Sequence, residues 1–321
     1  MQRIGIARGL HSYHHFPLWR TFFTELGCEV VLSGPTDKKM VEQGVKLAPA
    51  ELCLPVKVFL GQVAQLFEQA DVVLVPRLVC RRLNGDFYFG CPKAIALPDL
   101  VRAVFSLPDR VVELVVDHQR GSDEAGFVRC AQELGFRRAS ARAAFASAQR
   151  AEQEAKRLLK QGATPADFWT KSPVSVRQWC GQQGEKIGVI GHPYLVYDDY
   201  ISLNLLKMLT ETGAEPVVPL VTDEDLKQEA AQKKALNWFY ELELIARARR
   251  LVSDSKVRGI IMASSFACGT APVVNEVIRR EVAGGAGLPM LTLLFDEHSA
   301  EIGLRTRVES FVDLLRAVRI R

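Results

Sequence analysis

Residues 3–13, RIGIARGLHSY, and residues 186–194, KIGVIGHPY, decide the fold of this chain. Each stretch begins with a short apolar run that is typical of a buried strand, and each then passes into a polar turn that contains a histidine. The first stretch opens the chain, and the second opens its latter half. The repeated pattern indicates two related α/β units.

Further β-rich runs alternate with amphipathic helices in both halves of the chain. The runs cover residues 29–33, 71–79, 111–116, 215–221, 258–264 and 289–295. This alternation is typical of a mainly parallel sheet with helices on both faces. We therefore predict two open α/β domains, residues 1–165 and 166–321, whose connection is rich in Gly, Pro, Ser and Trp.

The composition of the 321 residues excludes several classes of protein. Hydrophobic residues make up 48% and charged residues 24%, which is ordinary for a globular protein. No run approaches the ~20 apolar residues of a membrane-spanning helix, and no export signal is recognised, which predicts a cytoplasmic protein outside the membrane. The net charge of +4 does not indicate nucleic-acid binding. The basic stretch at residues 136–160 is interpreted as a solvated connecting helix.

Three of the seven cysteines share a local context. Cys53 (ELCLPVK), Cys91 (GCPKA) and Cys268 (ACGTAP) lie in loops, each with a proline within four residues. Proline is favoured in the first turn of a helix, so these thiols are predicted at or near helix starts, where a thiolate or a metal–sulfur cluster is favoured. Cys268 also follows a strand, and ligand sites gather beyond the carboxyl ends of strands. Loops from two facing domains would meet in such a crevice.

The other cysteines differ from these three. Cys28 and Cys130 have apolar neighbours and are predicted to be core residues. Cys180 lies in the connection and receives no role. Cys80 ends the predicted strand 71–79, so it is a possible fourth ligand. An odd number of cysteines argues against a disulfide framework.

Motifs spread over most of the chain resemble the 2-hydroxyacyl-CoA dehydratase superfamily of iron–sulfur proteins, and most of all its small acyl-CoA dehydratase activase-related members. These motifs are IGIARGLHSYHHFPLWRTFFTELG (4–27), EVVLSGPTDKK (29–39), GVKLAPAELCLPVKVFLGQV (44–63), PRLV (76–79), FGCPKAIALPDLV (89–101), IGVIGHPYLVYDDYISLNLLKML (187–209), SSFACGTAPVVNEVIRRE (264–281) and LPMLTLLFDEHSAEIGLRTRVESFVDLL (288–315).

The resemblance implies two Rossmann-like or flavodoxin-like domains with a 4Fe–4S cluster in the crevice between them. The cluster cysteines of the family fall on Cys53, Cys91 and Cys268 and leave one iron open. The resemblance also implies a partner, an ATP-hydrolysing activator with its own 4Fe–4S cluster. Cys80 is either incidental or an added ligand.

Polar residues after three strands are candidates for work beside such an iron. His192 in GHPY, and Glu297 and His298 in DEHS, could act as acid or base, and Glu51 stands two residues before Cys53. Alternatively, Glu297 and His298 cap the last helix or bridge the domains. The HSYHH run, His11 to His15, could bind a metal, but a packed or solvated helix face is favoured. No phosphate-binding loop is found, so ATP binding by this chain is not expected.

The leading hypothesis is an iron–sulfur protein that accepts low-potential electrons and carries out a reduction or a radical dehydration at an open iron. A second hypothesis is an electron-transfer or assembly component without a substrate of its own. A third is a zinc protein that uses the same cysteines. A homodimer is also plausible.

Overall fold

The computed structural model describes residues 1–169, 184–232 and 236–318. The chain divides into two compact units, Met1–Val176 and Arg177–Arg321, and each holds its own sheet with parallel strands. The predicted α/β class with Rossmann-like or flavodoxin-like domains is therefore confirmed. The division after residue 165 stays a prediction, because the connecting residues 170–183, Cys180 among them, lie outside the described residues.

The N-terminal unit alternates strands and helices along residues 1–169. Its strands are β1 (Arg3–Ile6), β2 (Glu29–Leu32), β3 (Val72–Leu83), β4 (Asp86–Phe89) and β5 (Val111–Asp117). Its helices are α1 (Ser12–Glu25), α2 (Lys38–Leu47), α3 (Leu54–Gln69), α4 (Pro92–Ile95), α5 (Leu97–Phe105), α6 (Asp123–Glu133) and α7 (Arg138–Lys160).

A hairpin extends the sheet of this unit beyond its parallel part. The strands β2, β1, β3 and β5 lie parallel in that order, and β4 pairs antiparallel with the end of β3, from Cys80 opposite Phe89 to Leu83 opposite Asp86. The turn residues Asn84 and Gly85 have φ of 51° and 93°, the left-handed pair that a two-residue hairpin turn requires. The predicted end of β3 near residue 79 is therefore wrong, because the strand continues to form this hairpin.

An aromatic core lies between the sheet and the helices α1, α6 and α7. The rings of Phe22 and Phe127 meet edge to face with their centroids 4.8 Å apart. Cys28 and Cys130 are buried in the same core, as predicted, and burial raises the pKa of both thiols. The interpretation of residues 136–160 as a solvated helix holds for one face only, because the opposite face of α7 buries alanines and Phe145 against this core.

Two glycines set the distance between α2 and α3. A Cβ atom on Gly44 would lie 1.9 Å from the carbonyl oxygen of Lys57, and one on Gly61 would lie 2.2 Å from the carbonyl oxygen of Met40. Both obstacles are backbone atoms, which cannot rotate away. The two helices therefore pack backbone to backbone, and α3 in turn contacts the strands β1, β2 and β3.

The C-terminal unit repeats the architecture with a sheet whose described strands are all parallel. Its strands are β6 (Lys186–Ile190), β7 (Glu215–Val217), β8 (Val257–Ser265) and β9 (Met290–Phe295), in the spatial order β7-β6-β8-β9. Its helices are α8 (Pro193–Val196), α9 (Leu205–Glu211), α10 (Asp223–Ala231), α11 (Phe239–Ser253), α12 (Ala271–Val277) and α13 (Glu301–Val318).

The region 223–253, which the sequence predicts as a long helical region, holds the helices α10 and α11 in its described residues. Thr222 begins α10 with a capping box, in which its hydroxyl accepts from the backbone N–H of Asp225 and the Asp225 carboxylate accepts in return. In the described parts of the chain, no helix is both long and apolar enough to cross a membrane.

Candidate functional site

Cys53 lies at the carboxyl edge of the N-terminal sheet, because α3 begins there and returns antiparallel to the strands. It is the N-cap residue of α3, and its carbonyl oxygen accepts hydrogen bonds from the N–H groups of Val56 (3.0 Å) and Lys57 (3.2 Å). Pro55 occupies the first turn, as the sequence pattern predicts. The Cys53 residue is partly exposed, whereas Cys28 and Cys130 are buried in the core.

Cys91 is brought to the same edge by the hairpin. The N–H of Gly90 donates to the carbonyl of Val79 at 2.9 Å, which returns the chain beside β3, and Cys91 then caps the single turn α4. The Nζ of Lys93 donates to the carbonyl oxygen of Glu51 at 2.8 Å. This bond joins the loop of Cys91 to the loop of Cys53, so the structure places these two predicted ligands on adjoining loops of one unit.

Cys268 lies beyond the carboxyl end of β8 in the C-terminal unit. Its N–H donates to the carbonyl of Ser265 at 3.2 Å, and the preceding Ala267 has a left-handed φ of 59°. The N-cap of α12 is Thr270, so Cys268 stands two residues before the N-cap rather than at the start of the helix. Its Sγ lies 3.6 Å from Oγ1 of Thr270.

A chain of buried polar side chains leads away from Cys268. Oγ1 of Thr270 donates a short hydrogen bond to Oε1 of Glu241, and the same oxygen lies 3.8 Å from Nε2 of His192. Exposed fractions are 2% for Thr270, 2% for Glu241 and 5% for His192. The ring of His192 stacks on Tyr194, with the centroids 5.0 Å apart. The predicted residue His192 is thus linked to the Cys268 loop through two residues that the sequence does not single out.

The short helix α8 begins just after His192, which approaches Glu241 of α11, and the residue that follows α8 contacts α11 as well. Arg247 of α11 is buried, with an exposed fraction of 5%, and pairs with Glu243 of the same helix. The side chain of Tyr197, just after α8, hydrogen-bonds to Arg247, and this contact and the Glu243 charge raise the pKa of Arg247 although burial opposes them. The segment 192–197 therefore contacts two buried charged residues of α11, Glu241 at His192 and Arg247 at Tyr197.

Glu297 and His298 follow β9 in a turn that Asp296 stabilises. Asp296 accepts from the N–H of His298 at 3.0 Å and from the hydroxyl of Ser299 at 2.8 Å. His298 is exposed, and α13 begins only at Glu301. A catalytic role for Glu297 or His298 stays a prediction.

Cys80 lies inside β3 rather than at its end. Its exposed fraction is 3%, and its thiol donates to Oδ1 of Asp117 at 3.2 Å. Burial and then this hydrogen bond raise the pKa of the Cys80 thiol. Such surroundings favour the neutral thiol over the thiolate that binds metals. A role as fourth ligand stays a prediction, and both features weigh against it.

The histidine run at the start of α1 forms a packed face rather than a solvated one. His11 and His15 are buried, and Nδ1 of His15 lies 3.4 Å from Oε1 of Glu152 on α7. Nε2 of His15 lies 3.5 Å from a guanidinium nitrogen of Arg81, which can only donate, so Nδ1 carries the proton. Burial, together with the charge of Arg81, lowers the pKa of His15 to about 4 against the effect of Glu152.

Protonation of His15 is therefore expected to cost stability. The folded-state pKa of His15 lies below its unfolded value of about 6.5, so the unfolded chain binds the extra proton first. We expect His15 to contribute a loss of about 3 kcal/mol in the free energy of unfolding as the pH falls from about 6.5 to about 4. Urea titrations at several pH values measure it. His15→Gln, which keeps a donor for Glu152, should flatten this dependence, and an unchanged slope in that variant would contradict the assignment.

In residues 1–169, 184–232 and 236–318, no group of three or more His, Cys, Asp or Glu side chains lies close enough together to hold a metal ion. Cys53 and Cys91 belong to one compact unit and Cys268 to the other. A site that uses all three stays a prediction.

Glu241 and Thr270 are the site residues that the sequence pattern does not reveal. Thr270 stands two residues after Cys268, so a search for hydroxyls beside the cysteine could have found it. Glu241 lies 29 residues from Thr270 in the chain, within a helix whose sequence, FYELELIARARR, contains a second glutamate, Glu243. Nothing local distinguishes it from its neighbours.

Comparison with known proteins identifies a family but no close relative. A comparison with curated protein sequences gives no match. A structure of S. aureus MnaA with UDP has 14% sequence identity over 98% of this chain and 88% of that chain, with a TM-score of 0.22. The C-terminal domain of glucosamine-fructose-6-phosphate aminotransferase from Francisella tularensis has 11% identity over 99% of this chain and 85% of that chain, with a TM-score of 0.21. Such low scores assign neither a shared fold nor a ligand.

The family model described as CoA enzyme activase uncharacterised domain (DUF2229) matches residues 3–221. The match covers the described part of the N-terminal unit from residue 3 onward, and it continues through β6 and β7 of the C-terminal unit. It contains Cys53, Cys91 and His192, whereas Cys268, Glu297 and His298 lie beyond it. Because the match spans more than half of the 321 residues, the chain belongs to the CoA enzyme activase uncharacterised domain family.

Proposed function

We propose that the protein holds a 4Fe–4S cluster through Cys53, Cys91 and Cys268 and works with an ATP-hydrolysing activator in a CoA-enzyme system. It would accept low-potential electrons from that activator and use them for a reduction or a radical dehydration. The observation that carries the proposal is the Lys93–Glu51 bond, which joins the loops of two partly exposed helix-capping cysteines. Membership in a CoA enzyme activase family supports the proposed system.

The donor set suits an iron–sulfur cluster, because thiolates are the usual ligands of such clusters. Three protein ligands would leave one iron without a side chain. When bound, the cluster would supply a one-electron reductant with a position open to substrate. The three thiols would bind the cluster, and the Lys93–Glu51 hydrogen bond holds the Cys91 and Cys53 loops together.

Loss of a hydroxyl group as water requires a proton. His192 is the buried imidazole that lies nearest to the Cys268 loop through described contacts, by way of Glu241 and Thr270. It can hold a proton on Nε2 against the Glu241 carboxylate. This arrangement supports a substrate-transforming role over electron transfer alone.

Metal analysis after anaerobic purification tests the proposal. We expect about four iron and four sulfide per chain, and an EPR signal on reduction that is typical of a 4Fe–4S cluster. Reduction that depends on ATP and a purified activator would support the partner. Absence of iron after anaerobic reconstitution would contradict the proposal, and zinc at about one atom per chain would favour the zinc alternative.

A further inference from the structure

Glu241 is a buried carboxylate with few partners. Its Oε1 accepts from Thr270 and lies 3.8 Å from Nε2 of His192, while its Oε2 makes no hydrogen bond with the described residues. Because the exposed fraction of Glu241 is 2%, little water can reach the carboxylate to replace the missing hydrogen bond. A buried carboxylate in such surroundings is costly unless an opposite charge lies close by.

The other acids around α11 are paired with arginines. Glu243 pairs with Arg247, Glu229 of α10 with Arg249, and Asp225 of α10 with Arg250 at 3.0 Å. These arginines are therefore committed to acids other than Glu241. His192 is the ionisable base that the described contacts place against the Glu241 carboxylate.

Two described neighbours of His192 and Glu241 are uncharged. Thr270 contributes a neutral hydroxyl from the start of α12, and Tyr194 contributes a stacked ring from α8. Tyr197, on the same loop, bonds to Arg247. An opposite charge at about 4 Å favours the charged form of an imidazole, whereas burial alone would favour the neutral form.

We infer that Glu241 is a positioning residue that keeps His192 protonated at neutral pH. The carboxylate stabilises the proton on Nε2, so the ring remains an imidazolium and Nδ1 also carries a proton that can be given up. The pair thus holds one transferable proton next to the Cys268 loop. The charges of the imidazolium and the carboxylate cancel, so the pair is neutral as a whole. The inference rests on the proposed function for its purpose, since a dehydration or reduction at that loop consumes protons.

Nitrogen NMR of the full-length protein labelled at histidine tests the inference, with His192→Asn used to assign the signal. In the unaltered protein we expect the two ring nitrogens of His192 to show the imidazolium signature at pH 7. In Glu241→Gln, which keeps an acceptor for Thr270, we expect the His192 titration midpoint to fall by about 1–3 pH units. Glu276→Gln removes an exposed carboxylate from α12 and should leave His192 unchanged.

A neutral His192 in the unaltered protein at pH 7 would overturn the inference, whether or not the Glu241 variant folds. An unshifted midpoint in Glu241→Gln would also overturn it. Iron measured on the same samples separates the two proposals. Iron in the unaltered protein with a neutral His192 removes the inference alone, whereas a charged His192 that depends on Glu241 in a protein without iron removes the proposed function alone.

Discussion

Replacement of Cys53 by serine is expected to lower the iron content by about tenfold or more without unfolding the protein. Loss of a residue that only hydrogen-bonds to a metal ligand typically costs about 10–100-fold in metal affinity, and here a ligand itself is lost. Serine differs from cysteine only in its side-chain oxygen, and it is a preferred N-cap residue. Because the Cys53 side chain makes no capping hydrogen bond to α3, serine should leave the stability of that helix equal or higher.

The same result is expected for Cys91→Ser and Cys268→Ser, with iron, sulfide and the melting temperature measured together. Cys91 also serves as an N-cap, so its serine variant should fold. Normal iron in any of the three variants would remove that residue from the ligand set. Iron loss accompanied by a lower melting temperature would point to a folding defect and would not count as support.

Cys80→Ser is the matched control, since serine can still donate to Asp117 in place of the thiol. We expect its iron content and EPR signal to equal those of the unaltered protein. A changed signal would make Cys80 a fourth ligand and would favour the electron-transfer alternative, because a fully coordinated cluster has no place for a substrate.

The strands and the three loop cysteines could be predicted because their signals are local. An apolar run marks each buried strand, and a nearby proline marks the helix that follows Cys53. The sequence does not predict β4, although Asn84-Gly85 is a strong hairpin signal, because the flanking strand residues Asp86–Phe89 form only a short run. Without that hairpin, the sequence gives no reason for Cys91 to lie beside the Cys53 loop.

The polar network behind Cys268 could not be predicted, because it depends on packing between distant segments. Glu241 meets Thr270 and His192 only after α11 docks beside β6 and β8. The buried face of α7 is a second feature that depends on packing between distant segments. Its arginines and glutamates suggest solvent exposure, but the small alanines Ala141, Ala144 and Ala148 allow close packing against α1. Small residues carry little hydrophobic signal of their own.

Gly44→Ala is expected to destabilise the N-terminal unit by about 2 kcal/mol, although alanine is the better helix former. The added methyl group would lie 1.9 Å from the carbonyl oxygen of Lys57, so α2 must move away from α3. Overpacking of this kind typically costs about 1–3 kcal/mol, and more where backbone must shift. The helix-propensity gain of about 1 kcal/mol offsets only part of that cost.

Gly303→Ala in α13 provides the matched control. Gly303 is also a helical glycine, but apart from its chain neighbours and the nearby backbone of its own helix, no heavy atom of the described residues lies within 4 Å of a Cβ atom there. The same substitution should therefore stabilise by about 0.5–1 kcal/mol. Denaturant unfolding of both variants measures the difference. Since α3 carries Cys53 at its start, Gly44→Ala should also weaken iron retention, whereas Gly303→Ala should not. Equal stability changes in the two variants would show that α2 and α3 are not in backbone contact.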